Sequence, residues 1–197
     1  MKYKFWLVII ILLMGFRSPD IFAQVNYTFT LANDSLAAPN VYEFDIYMLN
    51  NDTSEFQLAG FNFGFLFNPE VKDTGTIKVS WVPNSSQLEN LAQLPRNFKA
   101  SVVKRDSGDF GIIIVGPRIP PGHGNGSIIS NKGMGTKVGR LRLTCNTNYN
   151  SARMNIKWNF GKTNGLYPTT IAAYIKNWNT NVTAMGKYES KLVNPVL

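Results

Sequence analysis

One cysteine and one histidine are all that 197 residues contain of the two side chains most used for zinc and thiol chemistry. A tetrahedral zinc site takes about four such ligands, so Cys145 and His123 cannot form one. A single thiol also rules out an intrachain disulfide, so the chain must be held by its core. Charge is scarce too: Asp, Glu, Lys and Arg make up 16% of the sequence, against roughly 25% in ordinary domains. Negative charge is the rarer sign, and the formal net charge is +8. The cations are scattered, as Lys72, Lys78, Lys99, Arg140, Lys157 and Lys176 illustrate. Nucleic-acid-binding domains group theirs on one face or helix, so no nucleic acid is expected as a partner. Association with anionic polymers or surfaces is physically reasonable.

No apolar run approaches the roughly 20 residues of a membrane-spanning helix. The run at 5–16 is shorter; Lys2 and Lys4 precede it and Ile21-Phe22-Ala23 follows. A basic start, a short apolar stretch and a small residue at the cut describe a secretory signal peptide over residues 1–23. Cleavage after Ala23 leaves 24–197, still net basic, as one domain with no membrane span. No cysteine lies near the cut for lipid attachment. The chain is therefore expected to be secreted, at the cell surface or in the periplasm.

What the sequence does have is alternation. Phe61-Asn62-Phe63-Gly64-Phe65-Leu66-Phe67 puts four phenylalanines on one face of an extended strand, because side chains there alternate with period two. A helix would scatter them. Burial of such a row is worth roughly 6–12 kcal/mol gross, and a one-residue slip would expose all of it. Asn62 and Gly64 take the opposite face, where glycine allows close approach of another backbone.

Similar rows recur. Val25, Tyr27, Phe29 and Leu31 alternate, and Asn33-Asp34-Ser35 and Pro39-Asn40 read as turns. Tyr42, Phe44, Ile46 and Met48 face one way, Glu43, Asp45 and Tyr47 the other. The short polar link 50–54 predicts that this strand and the phenylalanine strand are antiparallel neighbours. Asn68-Pro69-Glu70 stops the latter, since proline cannot donate to a ladder. Ile77, Val79 and Trp81 align next, and 84–97 is a long connection of weak helical or irregular character. Residues 98–104 and 110–115 read as a hairpin about Arg105-Asp106-Ser107-Gly108-Asp109, and 116–126 as a Gly/Pro loop. Val138-Gly139-Arg140-Leu141-Arg142-Leu143 sets arginines opposite leucines, with Cys145 at its end as a small buried hydrophobe. Met154, Ile156, Trp158 and Phe160 form another apolar row, with Asn155, Lys157 and Asn159 facing water. Ile171-Ala172-Ala173-Tyr174-Ile175 and the stretch around Val182 supply the last strands. About nine short strands without a convincing amphipathic helix predict an all-β, two-layer antiparallel sandwich.

Val41-Tyr42-Glu43-Phe44-Asp45-Ile46, then Ala59-Gly60-Phe61-Asn62-Phe63 with Phe67-Asn68-Pro69-Glu70-Val71, resemble the paired strands and the aromatic-Asn-Pro strand end of cohesin modules. The chain also resembles exported cohesin-like or carbohydrate-binding-like sandwich domains of Bacteroidota-type bacteria. These share Gly-Phe-x-Phe-Gly, Pro-Arg-x-Pro-Pro-Gly and Val-Gly-Arg-Leu-Arg-Leu segments ahead of a type IX secretion sorting domain. That likeness implies a cohesin-like or jelly-roll-like sandwich. The sequence shows no sorting domain after Leu197 and no dockerin-contacting motif that maps residue by residue.

Candidate chemistry is thin. His123 with Ser127 or Ser130 suggests a supported nucleophile, but no third, orienting group is evident, and the reading is an exposed loop histidine. Glu43 and Asp45, two apart on one strand face, could approach the carboxyl separations that glycosidases use; solvent-facing acids are the plainer reading. Asn33-Asp34-Ser35, Asn51-Asp52-Thr53 and Asp106-Ser107-Gly108-Asp109 could lend oxygens to a structural calcium, though turn chemistry explains each. No other cofactor is expected. Asn-x-Ser/Thr triplets such as Asn181-Val182-Thr183 match the glycosylation pattern, which an Asn-rich chain meets by chance. Trp81 and Trp158 fall on apolar rows and belong to the core. Tyr47, Tyr167 and Trp178 lie off those rows, flanked by amides and cations, and are the ligand-binding candidates, since flat rings stack on sugars. The expectation is a non-catalytic extracytoplasmic binding or structural module whose partner is a protein or a polysaccharide. The alternatives are a polysaccharide or cell-wall hydrolase using Glu43 and Asp45, and a fragment of a larger surface adhesin.

Overall fold

The computed structural model describes residues 25–72, 74–94, 103–104, 111–115, 119–161 and 169–196. The expected signal peptide, the strand start at 98–102, the Asp106-Ser107-Gly108-Asp109 turn and Tyr167 lie outside the described residues.

Most of the alternating apolar rows become strands. In chain order these are β1 (Tyr27–Ala38), β2 (Val41–Asn50), β3 (Phe56–Phe67), β4 (Ile77–Trp81), β5 (Val103–Lys104) and β6 (Gly111–Val115). Then follow β7 (Ile128–Ile129), β8 (Thr136–Cys145), β9 (Lys157–Trp158), β10 (Thr170–Ile175), β11 (Trp178–Asn181) and β12 (Gly186–Ser190). One sheet runs β12-β1-β2-β8-β4, the other β11-β10-β3-β6-β5, with β7 and β9 also pairing with β3. The two sheets pack as a sandwich. The hairpin expected around 105–109 is present as the antiparallel pairing of β5 with β6.

Phe63, Phe65 and Phe67 are fully buried and Phe61 is nearly so. Opposite them stand Phe29 and Leu31 of β1 and Tyr42, Phe44, Ile46 and Met48 of β2, all inaccessible. The two layers meet ring to ring. Phe29 lies edge-on to Phe63 with centroids 5.3 Å apart, and Phe44 edge-on to Phe65 at 5.5 Å, the geometry that the ring quadrupole favours. Val138, Leu141, Leu143 and Cys145 of β8 complete this side. Beside β3, on the side away from β6, the Thr169 hydroxyl accepts from Gly64 N at 3.1 Å and donates to Gly64 O at 3.0 Å. A side chain there takes the place of a ladder partner.

Five expectations need correction. First, β2 and β3 are not ladder neighbours: β2 pairs with β1 and β8, and the link after Asn50 crosses to the other sheet. Polar links of that length serve a hairpin or a sheet crossing equally well. Second, Asn33-Asp34-Ser35 is a bulge inside β1, with the register jumping between Ala32 and Ser35 and Asn33 at φ 54°. Asparagine tolerates that left-handed conformation, so the strand continues through it. Third, β12 has no apolar row to betray it; it pairs parallel to β1, from Tyr27 opposite Gly186 to Leu31 opposite Ser190. The sandwich is therefore antiparallel except at that edge. Fourth, Asn159 is buried while Phe160 is 44% exposed, because the strand in this row is only Lys157–Trp158. Trp158 itself is half-buried against the core, and Trp81 is buried. Fifth, Glu43 and Asp45 do not face solvent: they are 7% and 3% exposed. The connection at 84–94 is largely irregular, as expected, with a single 3-10 turn at Leu91–Gln93.

Candidate functional site

The first candidate surface is the outer face of β1, β2 and β8. Antiparallel register sets Glu43 opposite Arg142 and Asp45 opposite Arg140. Arg140 Nε donates to Glu43 Oε2 at 2.6 Å and its Nη1 to Asp45 Oδ1 at 2.8 Å. Arg142 Nε reaches Glu43 Oε1 at 2.6 Å, and Lys137 Nζ reaches Asp45 Oδ1 at 2.8 Å. The β1 bulge completes the lattice. Asn33 Nδ2 donates to Asp45 Oδ2 at 2.9 Å, and Arg140 Nη2 donates to Ser35 Oγ at 2.9 Å. Burial works against the charged form of both acids. Hydrogen bonds from Arg140 and Arg142 nevertheless hold Glu43 below the usual carboxylate range, and those from Lys137, Asn33 and Arg140 do the same for Asp45.

A glycosidase acid needs the opposite: a carboxyl kept protonated near neutral pH. Here one guanidinium bridges two neighbouring carboxylates, and both stay anionic. Tyr47 joins this lattice rather than standing free, its hydroxyl 3.3 Å from Asn33 Nδ2 and 3.4 Å from Asp45 Oδ2. The Lys137 ammonium lies 5.9 Å from its ring centroid, within cation–π range.

The second candidate is a cleft of about 710 Å³ outside the start of β3 and the end of β10, lined in part by Glu55, Gln57, Glu89, Asn90, His123 and Tyr174. The Gly-rich loop is pinned over the sheet by its own backbone: Gly122 N donates to the Tyr174 hydroxyl at 2.7 Å and Gly124 N to Gln57 Oε1 at 2.8 Å. Gly126 is glycine by necessity, since a Cβ there would lie 2.2 Å from Leu58 O. His123 is exposed and stands edge-on to Tyr174, centroids 5.9 Å apart. Ser127 is no nucleophile; it is 1% exposed, and its Oγ accepts from Asn90 N at 3.1 Å. Glu55 and Glu89 have no hydrogen bond or ion pair among the described residues, so the free charge of the cleft is negative. The sequence signalled this loop by its glycines and prolines. Nothing in it linked that loop to Glu55, Glu89 and Tyr174, which lie far off along the chain.

Trp178 opens β11 after a turn through Lys176 and Asn177, both at positive φ (47° and 71°). It is 76% exposed. Trp178 and Tyr47 belong to different sheets, so the fold does not gather these two ring candidates into one site. The acids of the described Asn/Asp segments are engaged by the protein. Asp34 accepts from the Tyr42 hydroxyl and from Val193 N and Asn194 N at 2.8, 2.6 and 2.8 Å. Asp52 Oδ2 accepts from Asn26 N at 2.9 Å. Among the described residues no helix is long and apolar enough to cross a membrane.

No protein-family model and no curated protein matches the sequence. Among solved structures the chain is similar to the second type II cohesin module of the cellulosomal adaptor ScaA scaffoldin of Acetivibrio cellulolyticus. The identity is 9% and the TM-score 0.38, over 88% of this chain and 95% of the module. It is also similar to endoglucanase CelQ from Clostridium thermocellum, solved with cellotriose, at 11% identity and a TM-score of 0.37. That match takes in 88% of this chain but spans 27% of the endoglucanase's length.

Proposed function

We propose that the protein is a non-catalytic extracytoplasmic module that binds polysaccharide. One observation carries the reading: the paired carboxylates, the serine that follows the loop histidine and the thiol are all built into the frame. Glu43 and Asp45 are clamped as anions, Ser127 is internal and hydrogen-bonded, and Cys145 is fully buried. What remains at the surface is suited to recognition. Trp178 offers a flat apolar ring beside the amides of Asn177 and Asn179, the pairing that suits a sugar's apolar face and its hydroxyls. Export rests on the basic-apolar-small pattern of residues 1–23.

The test is affinity electrophoresis of the secreted protein through gels cast with neutral and acidic polysaccharides. Retardation by at least one polymer is expected, with Trp178→Ala reducing it while leaving the thermal midpoint within about 2 °C, because surface substitutions stay near ±0.5 kcal/mol. Migration unaffected by every polymer would remove the polysaccharide reading and leave a protein partner. Hydrolysis of any polymer that survives in the wild type but vanishes in Glu43→Gln would restore the enzyme.

A further inference from the structure

Two register pairs of β4 and β8, separated by Val79 opposite Leu143, place four polar side chains together on the outer face of the sheet: Ser80 opposite Arg142, and Lys78 opposite Thr144. Such pairs stand about 4.5–5.5 Å apart directly and about 7–8 Å diagonally. Two cations thus occupy one diagonal and two hydroxyls the other. Arg142 spends its Nε on Glu43; its two Nη groups, the Lys78 ammonium and both hydroxyls have no partner among the described residues. The Arg142 side chain is 42% exposed and Lys78 is exposed as well. On this face Lys137 and Arg140 are consumed by the carboxylates of β2. Uncompensated positive charge therefore gathers at the β8–β4 edge, where β4 is the last strand of the sheet.

We propose, building on the binding-module reading, that this quartet recognises the carboxylate groups of an acidic, uronate-bearing polysaccharide. The planar Nη pair of Arg142 fits a carboxylate bidentately, Lys78 supplies a second charge, and Ser80 and Thr144 donate to or accept from ring hydroxyls. Glu43 is a positioning residue: by holding Nε it turns the guanidinium's free edge toward solvent. The unpaired Glu55 and Glu89 of the cleft lie against the other sheet, where they repel the same polymer.

The experiment is equilibrium binding of the full chain to polygalacturonate and alginate, with neutral dextran and dextran sulfate as comparators. The Lys78→Ala/Arg142→Ala double variant is expected to bind polyuronate at least tenfold more weakly, since two charge-assisted contacts are lost. Lys132→Ala/Lys187→Ala, which removes the same charge from exposed sites elsewhere, should cost less than about threefold by long-range attraction alone. Arg142→Lys should fall between them, keeping charge without the fork. Glu55→Gln/Glu89→Gln should leave binding unchanged or strengthen it. Polyuronate binding that both double variants weaken equally overturns the quartet while leaving the module reading intact. Dextran sulfate bound in preference, with the same dependence on Lys78 and Arg142, overturns the carboxylate assignment. Binding to no polymer, acidic or neutral, defeats the polysaccharide reading itself.

Discussion

Replacing Glu43 by glutamine removes one negative charge from the β2–β8 lattice and almost no volume. Two contacts are affected, and they differ in weight. The partner Arg140 is 20% exposed and Glu43 9% at the side chain, so this pair is largely shielded from water. Arg142 is 42% exposed, and solvent screening leaves such a pair about 0–1 kcal/mol. A partly buried charge-assisted bond is worth about 1.5–3 kcal/mol, and breaking a fully buried pair costs about 3–5 kcal/mol. Arg140 keeps Asp45 and Ser35, and glutamine retains one acceptor, so the loss should lie near 2 kcal/mol. For a domain of this size that lowers the midpoint by about 4–8 °C. The acid profile should change too. Because the Glu43 and Asp45 carboxyls titrate lower in the folded chain than in the unfolded one, their stabilisation is present above the unfolded value. It is lost as pH falls through the folded one. Wild type should lose stability steeply below about pH 4.5, and Glu43→Gln should lose less over the same interval. Urea titrations at pH 7, 5, 4 and 3 measure both effects. A loss under about 0.5 kcal/mol at pH 7, with an acid profile parallel to wild type, would refute the lattice as a stabilising element.

Two further substitutions probe the frame. Phe65→Ala empties a fully buried position between β2 and Trp158 and should cost about 3–5 kcal/mol in denaturant unfolding; a loss below about 1 kcal/mol would mean the aromatic row is not the core. Gly126→Ala drives a methyl against Leu58 O and should cost about 1–3 kcal/mol. Amide exchange should then quicken at Leu58, whose N–H bonds Ser127 O, and an unchanged rate there would contradict the tight fit.

The rows at Tyr27–Leu31, Tyr42–Met48, Phe61–Phe67 and Val138–Leu143 were legible because period-two burial is a local property: each residue's neighbours two positions away share its face. Two layers follow, since such rows need something to bury against. The paired arginines opposite leucines in β8 were legible for the same reason. Their partners were not. Whether Glu43 faces water or Arg140 depends on which strand lies beside β2, and that is fixed by where the chain goes after residue 50. The bulge at Asn33, which brings Asn33 and Ser35 to the lattice, carries the same Asn-Asp-Ser letters as a turn. The β12 edge lacks apolar periodicity and exists because β1 offers it hydrogen bonds. Likewise Ser80, Arg142, Lys78 and Thr144 meet only through strand register. Local alternation thus determined the strands and their inward faces, whereas long-range pairing, invisible in any short window, decided which charges are neutralised and which remain available to a ligand.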